Sequence, residues 1–317
     1  MEVKAELPQF DQLPFVEGLP LRHAWDVFGR EDDLGTLNLL DDDTVRAGLA
    51  HALTGERICL TMALTSPTPP LFGRQQLQQT VVELDRNTWD DRLDSFYTQA
   101  SSQWDGFRHV RCREHGFYTG LTQDPQDMGD RLGIEHWSRG IIGRGVLLDV
   151  HRYLESTSGG YDPLTGLPIS AEVLRETAAA QGVQVQPGDI LCVRVGWQFG
   201  YARLTTEQQQ ALGAPGAAVT HAGLSGGEAM AEQLWNWHIA AITCDNPSVE
   251  VAPGDPAVGS LHRRILPLLG IVMGELFDFE ELAERCAAQG RWTFAFMGVP
   301  LNLPGGLGSP ANAVAVL

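Results

Sequence analysis

The feature that most constrains the fold of this chain is a series of short apolar runs rich in branched residues, each bounded by Gly, Pro or Asp. Residues 145–150, 190–195, 239–244 and 271–275 are runs of this kind, and further ones lie near 292–298 and 312–317. Their length suits buried strands rather than helices, which need ten or more residues. Pro187, Gly188 and Asp189 form a turn signal into the second run. A strand is also predicted over 58–64, ahead of a Pro-rich loop from Pro67 to Pro70. Helices fall between these runs at irregular intervals. Asp41, Asp42, Asp43 and Thr44 cap one that runs to about His51, and Ser170 caps one that reaches Gln181, with Gly182 closing it. Others are predicted over 226–237, 260–268 and 279–288. The pattern is an α/β chain with a mixed sheet and flanking helices, lacking a repeated strand–helix–strand rhythm.

Nucleotide folds gain no support. No G-x-G-x-x-G follows a strand, and there is no Walker A sequence. The glycine-rich stretch Pro304, Gly305, Gly306, Leu307, Gly308, Ser309 is not followed by a helix that could complete a phosphate site. The 317 residues allow a large core, and no linker divides them into halves. One domain is therefore expected over 23–317, behind an irregular arm of residues 1–22 marked by Pro8, Pro14 and Pro20 and expected to reach a neighbouring subunit.

Charge narrows the partners. Forty acidic residues against 22 basic give a net charge of -18, which repels nucleic-acid phosphates and anionic membrane surfaces alike. The apolar run 265–273 contains Pro267 and is far too short to cross a bilayer, and residues 1–6 lack the apolar run of a secretory signal. Five cysteines, at 59, 112, 192, 244 and 286, include no C-x-x-C pair. That argues against a disulfide framework and for a reducing, cytoplasmic location.

The densest chemistry lies between Gln99 and His109. Asp105 and His109 stand four positions apart, with amide oxygens at Gln99 and Gln103 ahead of them. In an extended segment, positions 103, 105, 107 and 109 share a face, so that Gln103, Asp105 and His109 converge. An imidazole, a carboxylate and amide oxygens form a mixed N/O set suited to Zn, Mn or Mg. The plainer reading is a polar loop with a structural turn at Asp105 and Gly106. His109, Cys112 and His115 have a metal-like spacing, but no fourth ligand follows them. There is no G-x-S-x-G, so a serine hydrolase lacks its nucleophile elbow.

This stretch resembles the motif H-x-G-T-H-x-D-x-P-x-H of the cyclase family, which includes kynurenine formamidase, isatin hydrolase and trans-dienelactone hydrolase. Gln99 and Gln103 take the places of the two leading His, Asp105 that of the Asp, and His109 that of the last His. Other blocks also resemble the family in order: Asp33 to Leu40, Arg144 to Asp149, Pro187 to Ile190, Gly223 to Ser225, Asp245 to Ser248, Leu261 with His262, and Gly308 to Pro310. The resemblance implies a compact fold of the swivelling β/β/α type, often assembled as homodimers or tetramers. It implies a divalent metal, Mn or Zn with Mg also admissible, held by Gln103, Asp105, His262 and Glu275, and a proton shuttle at His109. The implied activity is metal-dependent hydrolysis of a formamide, lactam or lactone in a small aromatic or cyclic substrate.

Trp104, Phe107 and His221 are the expected substrate contacts. Glu250 is a candidate replacement ligand, because amide oxygens at 99 and 103 bind metal more weakly than imidazole. Two other readings stay open: a binding protein of the same fold that has lost its metal, and a metal-dependent lyase or isomerase using His109 as base.

Overall fold

A computed structural model describes residues 7–317; the first six residues of the predicted arm, with their charge-mixed sequence, lie outside the described residues. In chain order the strands are β1 (Arg57–Cys59), β2 (Gln78–Asp85), β3 (Thr88–Asp94), β4 (Gln103–Asp105), β5 (Ile141–Asp149), β6 (Pro168–Ile169) and β7 (Ile190–Arg194). They continue with β8 (Gly223–Leu224), β9 (Ala241–Cys244), β10 (Val272–Glu275), β11 (Thr293–Gly298), β12 (Gly308–Pro310) and β13 (Ala313–Val316). The helices are α1 (Asp42–Leu49), α2 (Val150–Thr157), α3 (Ala171–Ala180), α4 (Trp197–Tyr201), α5 (Thr206–Leu212), α6 (Glu228–Asn236), α7 (Leu261–Arg264) and α8 (Glu280–Gln289).

Nine strands form one mixed sheet in the order β1-β13-β11-β5-β7-β9-β10-β4-β12. Its centre, β5-β7-β9-β10, is parallel. Antiparallel strands extend it on both sides, β11, β13 and β1 on one and β4 and β12 on the other. All residues of β7, β9 and β10 are buried, which explains why their sequences are mainly apolar and do not alternate: a parallel strand covered on both faces has no solvent side to mark with polar residues.

Helix starts follow the sequence closely. Asp41 accepts from the Thr44 amide at the start of α1, and Ser170 from the Val173 amide at the start of α3.

Two expectations are corrected. The strand expected over 58–64 is only Arg57–Cys59, because the chain then leaves β13 and makes a single bridge from Thr61 to Phe277. The helix expected over 260–268 is the one-turn α7 followed by a π-helical turn over Ile265–Leu269, where Pro267 has no N–H to continue the α pattern. Residues 7–22 of the arm make contacts with their own chain. Phe10, Leu13 and Val16 are buried, the Trp235 indole donates to the Pro8 carbonyl, and the Phe10 amide donates to Asn236 at the end of α6. The hairpin of β2 and β3, not anticipated from the sequence, pairs only with itself and leaves nearly all its residues exposed.

No described helix is long and apolar enough to cross a membrane. The cysteines are free, and all but Cys59 are buried.

Candidate metal centre

The last residues of the parallel strands carry polar groups, as expected at the carboxyl edge of an α/β sheet. At the ends of β5 and β7 these groups neutralise one another. Arg194 is bound to Asp149 at 2.8 Å and to Glu280 at 2.8 Å. At the end of β10 no Arg or Lys side chain forms an ion pair with Glu275 among the described residues.

The antiparallel register sets Gln103 directly opposite Glu275, with Asp105 opposite Met273. Residues 103 and 105 therefore face the same way, and the Gln103 amide donates to Glu275 Oε2 at 2.5 Å. Trp104 points to the other face, where its indole donates to the Ala311 carbonyl and meets Phe277 and Phe296 edge-on.

The chain does not stay extended to 109. Gly106 donates to the Leu307 carbonyl, leaving no room for a Cβ, and His109 N bonds back to the Gly106 carbonyl, closing a turn. That turn buries Phe107 against Tyr118 and Trp137 and folds His109 back over Asp105, with Nε2 3.8 Å from Oδ2. Gln103, Asp105 and His109 are thus brought together, but by a turn rather than by a strand face.

His262 arrives from α7. Its Nε2 lies 3.0 Å from Glu275 Oε1 and 3.7 Å from Asp105 Oδ2. Ligand-type atoms of Asp105, His262 and Glu275 all lie within 4.8 Å of one another, and His109, Cys112 and His115 form no such group among the described residues. On its other side the His262 Nδ1 meets Glu250 Oε1 at 2.8 Å. Gln99 donates to Asp105 Oδ1 at 2.7 Å. Asp105 Oδ2 and Gln103 Oε1 are buried and have no hydrogen-bond partner.

The electrostatics follow from three carboxylates around one partly buried imidazole. Burial pushes the Asp105 carboxyl up, but His109, His262 and the Gln99 amide outweigh it and hold it at about 2. Burial and the neighbouring Asp105 charge push Glu275 up to about 7, against the pull of His262 and Arg74. Burial pulls His262 down, yet Asp105, Glu250 and Glu275 raise it well above the usual imidazole range. Even a protonated His262 leaves the three carboxylates in charge excess. A buried cluster with excess negative charge and an unbonded carboxylate oxygen is stabilised by a cation, and an N/O donor set of this kind fits a divalent metal ion.

The remaining expected site residues are not brought to the cluster. Trp104 and Phe107 are fully buried in the core and form no free wall beside the carboxylates. His221 is also fully buried, with Nδ1 3.0 Å from the Ala222 carbonyl oxygen and Nε2 3.2 Å from the Ser248 hydroxyl; burial lowers it to about 4 and keeps it neutral. It supports the loop that carries Glu250. Period-2 alternation in β4 could have shown that Trp104 faces away from Gln103 and Asp105. Nothing in the sequence marks Arg74, whose positive charge reaches Glu275 from the Pro-rich loop.

Comparison with known proteins gives a consistent picture. A family model described as putative cyclase matches residues 49–251. No curated protein matches the chain. A crystal structure described as a novel cyclase is 26% identical with a TM-score of 0.81, covering 93% of this chain and 99% of that one. Isatin hydrolase A from Labrenzia aggregata, bound to benzyl benzoate, is 13% identical with a TM-score of 0.60, covering 82% of this chain and 93% of that one. An isatin hydrolase bound to the product analogue thioisatinate is 15% identical with a TM-score of 0.58, covering 88% and 99%. At those identities the two isatin hydrolases establish a shared fold.

Proposed function

The chain belongs to the cyclase family, and from that premise we propose that it is a metal-dependent hydrolase that opens an amide or lactone bond in a small aromatic or cyclic substrate. Asp105, His262 and Glu275 hold the divalent ion in this reading, with Gln103 Oε1 available beside them. The observation that carries it is Asp105 Oδ2, a buried carboxylate oxygen with no hydrogen bond, facing two imidazoles amid excess negative charge. When bound, a divalent ion supplies a Lewis acid for the substrate carbonyl and lowers the pKa of an attacking water. With amides where the family motif has two histidines, the donor set favours a harder ion such as Mn or Mg over Zn.

The chain's own groups then divide the work. Gln99 and Gln103 each donate an amide N–H to the outer oxygen of a carboxylate, fixing Asp105 and Glu275 with their other oxygens turned toward His262. His109, whose side chain is 28% exposed, stands where the cluster meets solvent. It accepts the proton released as water attacks and returns it to the departing nitrogen or oxygen. The aromatic ligands of the two isatin hydrolases support a screen of isatin-like lactams, arylformamides and aryl lactones. Purified protein loaded with Mn or Zn is expected to turn over at least one of these with a mass gain of one water. Product of unchanged mass points instead to a lyase or isomerase.

A second reading has its own support. The two Gln amides and His262 satisfy much of the cluster internally, as a metal-free binding protein of this fold would need. Elemental analysis of purified protein, with thermal melts in added Mn or Zn, separates the two. Trace metal and no stabilisation rejects the hydrolase.

A further inference from the structure

We propose that Glu250 is the positioning carboxylate of this centre: it holds the His262 imidazole with Nε2 aimed at Asp105 and Glu275, and it fixes the start of the helix on which His262 rides. The inference rests on the metal-centre reading above and adds a residue that the cluster itself does not include.

Glu250 is not placed as a ligand. Both of its oxygens are occupied by donors from one short stretch of chain. Oε1 accepts from the Ser260 hydroxyl at 3.0 Å and meets His262 Nδ1 at 2.8 Å, while Oε2 accepts from the Leu261 amide at 2.5 Å. The His262 amide adds a longer contact to Oε1 at 3.4 Å. One side chain therefore ties down the first amides of α7, otherwise unsatisfied, together with the imidazole one residue further on.

The backbone of Glu250 is itself fixed. Leu224 and Glu250 form a parallel bridge, the Val251 amide donates to the Leu224 carbonyl, and the Ser248 hydroxyl donates to the Glu250 carbonyl. Gly223 lies so close that a Cβ there would run into the Glu250 carbonyl group. Val249 adopts φ +52°, a left-handed conformation that turns the chain just before Glu250. A side chain mounted this rigidly suits the orientation of another residue better than adaptation to a substrate.

The chemical consequence concerns the tautomer. An imidazole offers a metal only an unprotonated nitrogen, and the one that carries the proton is set by its hydrogen-bond partner. Glu250 Oε1 accepts a hydrogen bond from Nδ1–H, so in the neutral imidazole of the metal-bound form Nε2, the nitrogen 3.0 Å from Glu275, would present its lone pair to the ion. Removing such a partner weakens metal affinity by about 10–100-fold.

The test titrates Mn(II) and Zn(II) into metal-free full-length protein, comparing wild type, Glu250→Gln and Ser170→Ala. Ser170→Ala removes the cap of α3 and serves as a comparison for destabilisation alone. Glu250→Gln is expected to weaken Kd by about 10–100-fold at unchanged stoichiometry. Ser170→Ala is expected to lower Tm and leave Kd unmoved. In zinc-loaded wild type, nitrogen-15 NMR should place the proton of His262 on Nδ1, a readout that holds even where Glu250→Gln fails to fold; a proton on Nε2 overturns the proposal. Wild-type affinity in Glu250→Gln overturns it while leaving the metal-centre reading intact. Loss of stoichiometric binding at saturating ion makes Glu250 a ligand and overturns it as well. A wild-type protein that takes up no metal removes both.

Discussion

Glu275→Gln should remove one part of the pH dependence of stability that the wild-type protein shows when stripped of metal. Glu275 is buried beside the Asp105 carboxylate, and its carboxyl is raised from an ordinary 4.5 to about 7. The folded state thus holds a proton that the unfolded state has already released. The stability this contributes is fully present below pH 4.5 and is lost as pH rises to about 7. At about 1.4 kcal/mol per pH unit the full span is worth roughly 3 kcal/mol, of which roughly 2 kcal/mol is gone by pH 6. Only the difference between the two proteins isolates Glu275, because buried Asp245, raised to about 7, and buried His221, lowered to about 4, titrate in the same window and contribute equally to both curves.

The assay is denaturant unfolding in a strong chelator at half-unit pH steps, on both proteins. The wild-type curve should fall relative to the variant across the window. Saturating Mn should then restore stability most at the high-pH end, where the carboxylate is ready to receive the ion. Parallel curves for the two proteins refute the electrostatic argument.

His109→Ala should reduce turnover by about 10²–10⁴-fold with metal content unchanged, whereas Asp105→Ala should lose metal and activity together; parallel metal loss in both would make His109 a ligand. Gly35→Ala should destabilise the protein by about 3 kcal/mol or more, because Gly35 sits at φ +55° with the Gly270 carbonyl and the Phe107 ring where a Cβ would go. A Tm within a degree of wild type would contradict that packing. Replacing residues 78–94 by an Asn-Gly turn should change stability by less than about 1 kcal/mol, since the hairpin pairs only with itself and buries little. A large loss in denaturant unfolding would mean that another chain covers the ribbon in solution.

The sequence by itself determined what short-range physics governs. The parallel strands β5, β7, β9 and β10 were legible because a strand covered on both faces is mainly apolar without alternation, and α1 and α3 because Asp41 and Ser170 are caps that act within three residues. The order of weak blocks also placed the chain beside its family. Asp105, His109, His262 and Glu275 could be named in advance for that reason.

What only the tertiary structure decided is how those residues meet. Gln103 and Glu275 are separated by 172 positions, and only the antiparallel register of β4 on β10 sets them opposite one another. Trp104 is set apart from the site only by strand alternation, and Phe107 carries no sequence mark separating a substrate wall from a core contact. The face of a three-residue strand and the turn at Gly106 assigned both to the core. Glu250 could be picked out as a metal-type side chain, but its part in holding His262 depends on where α7 begins relative to the bridge at Leu224. Local sequence fixes which elements form and which way their side chains alternate. Register, turns and the depth of burial are collective outcomes of packing, and the site is assembled from those.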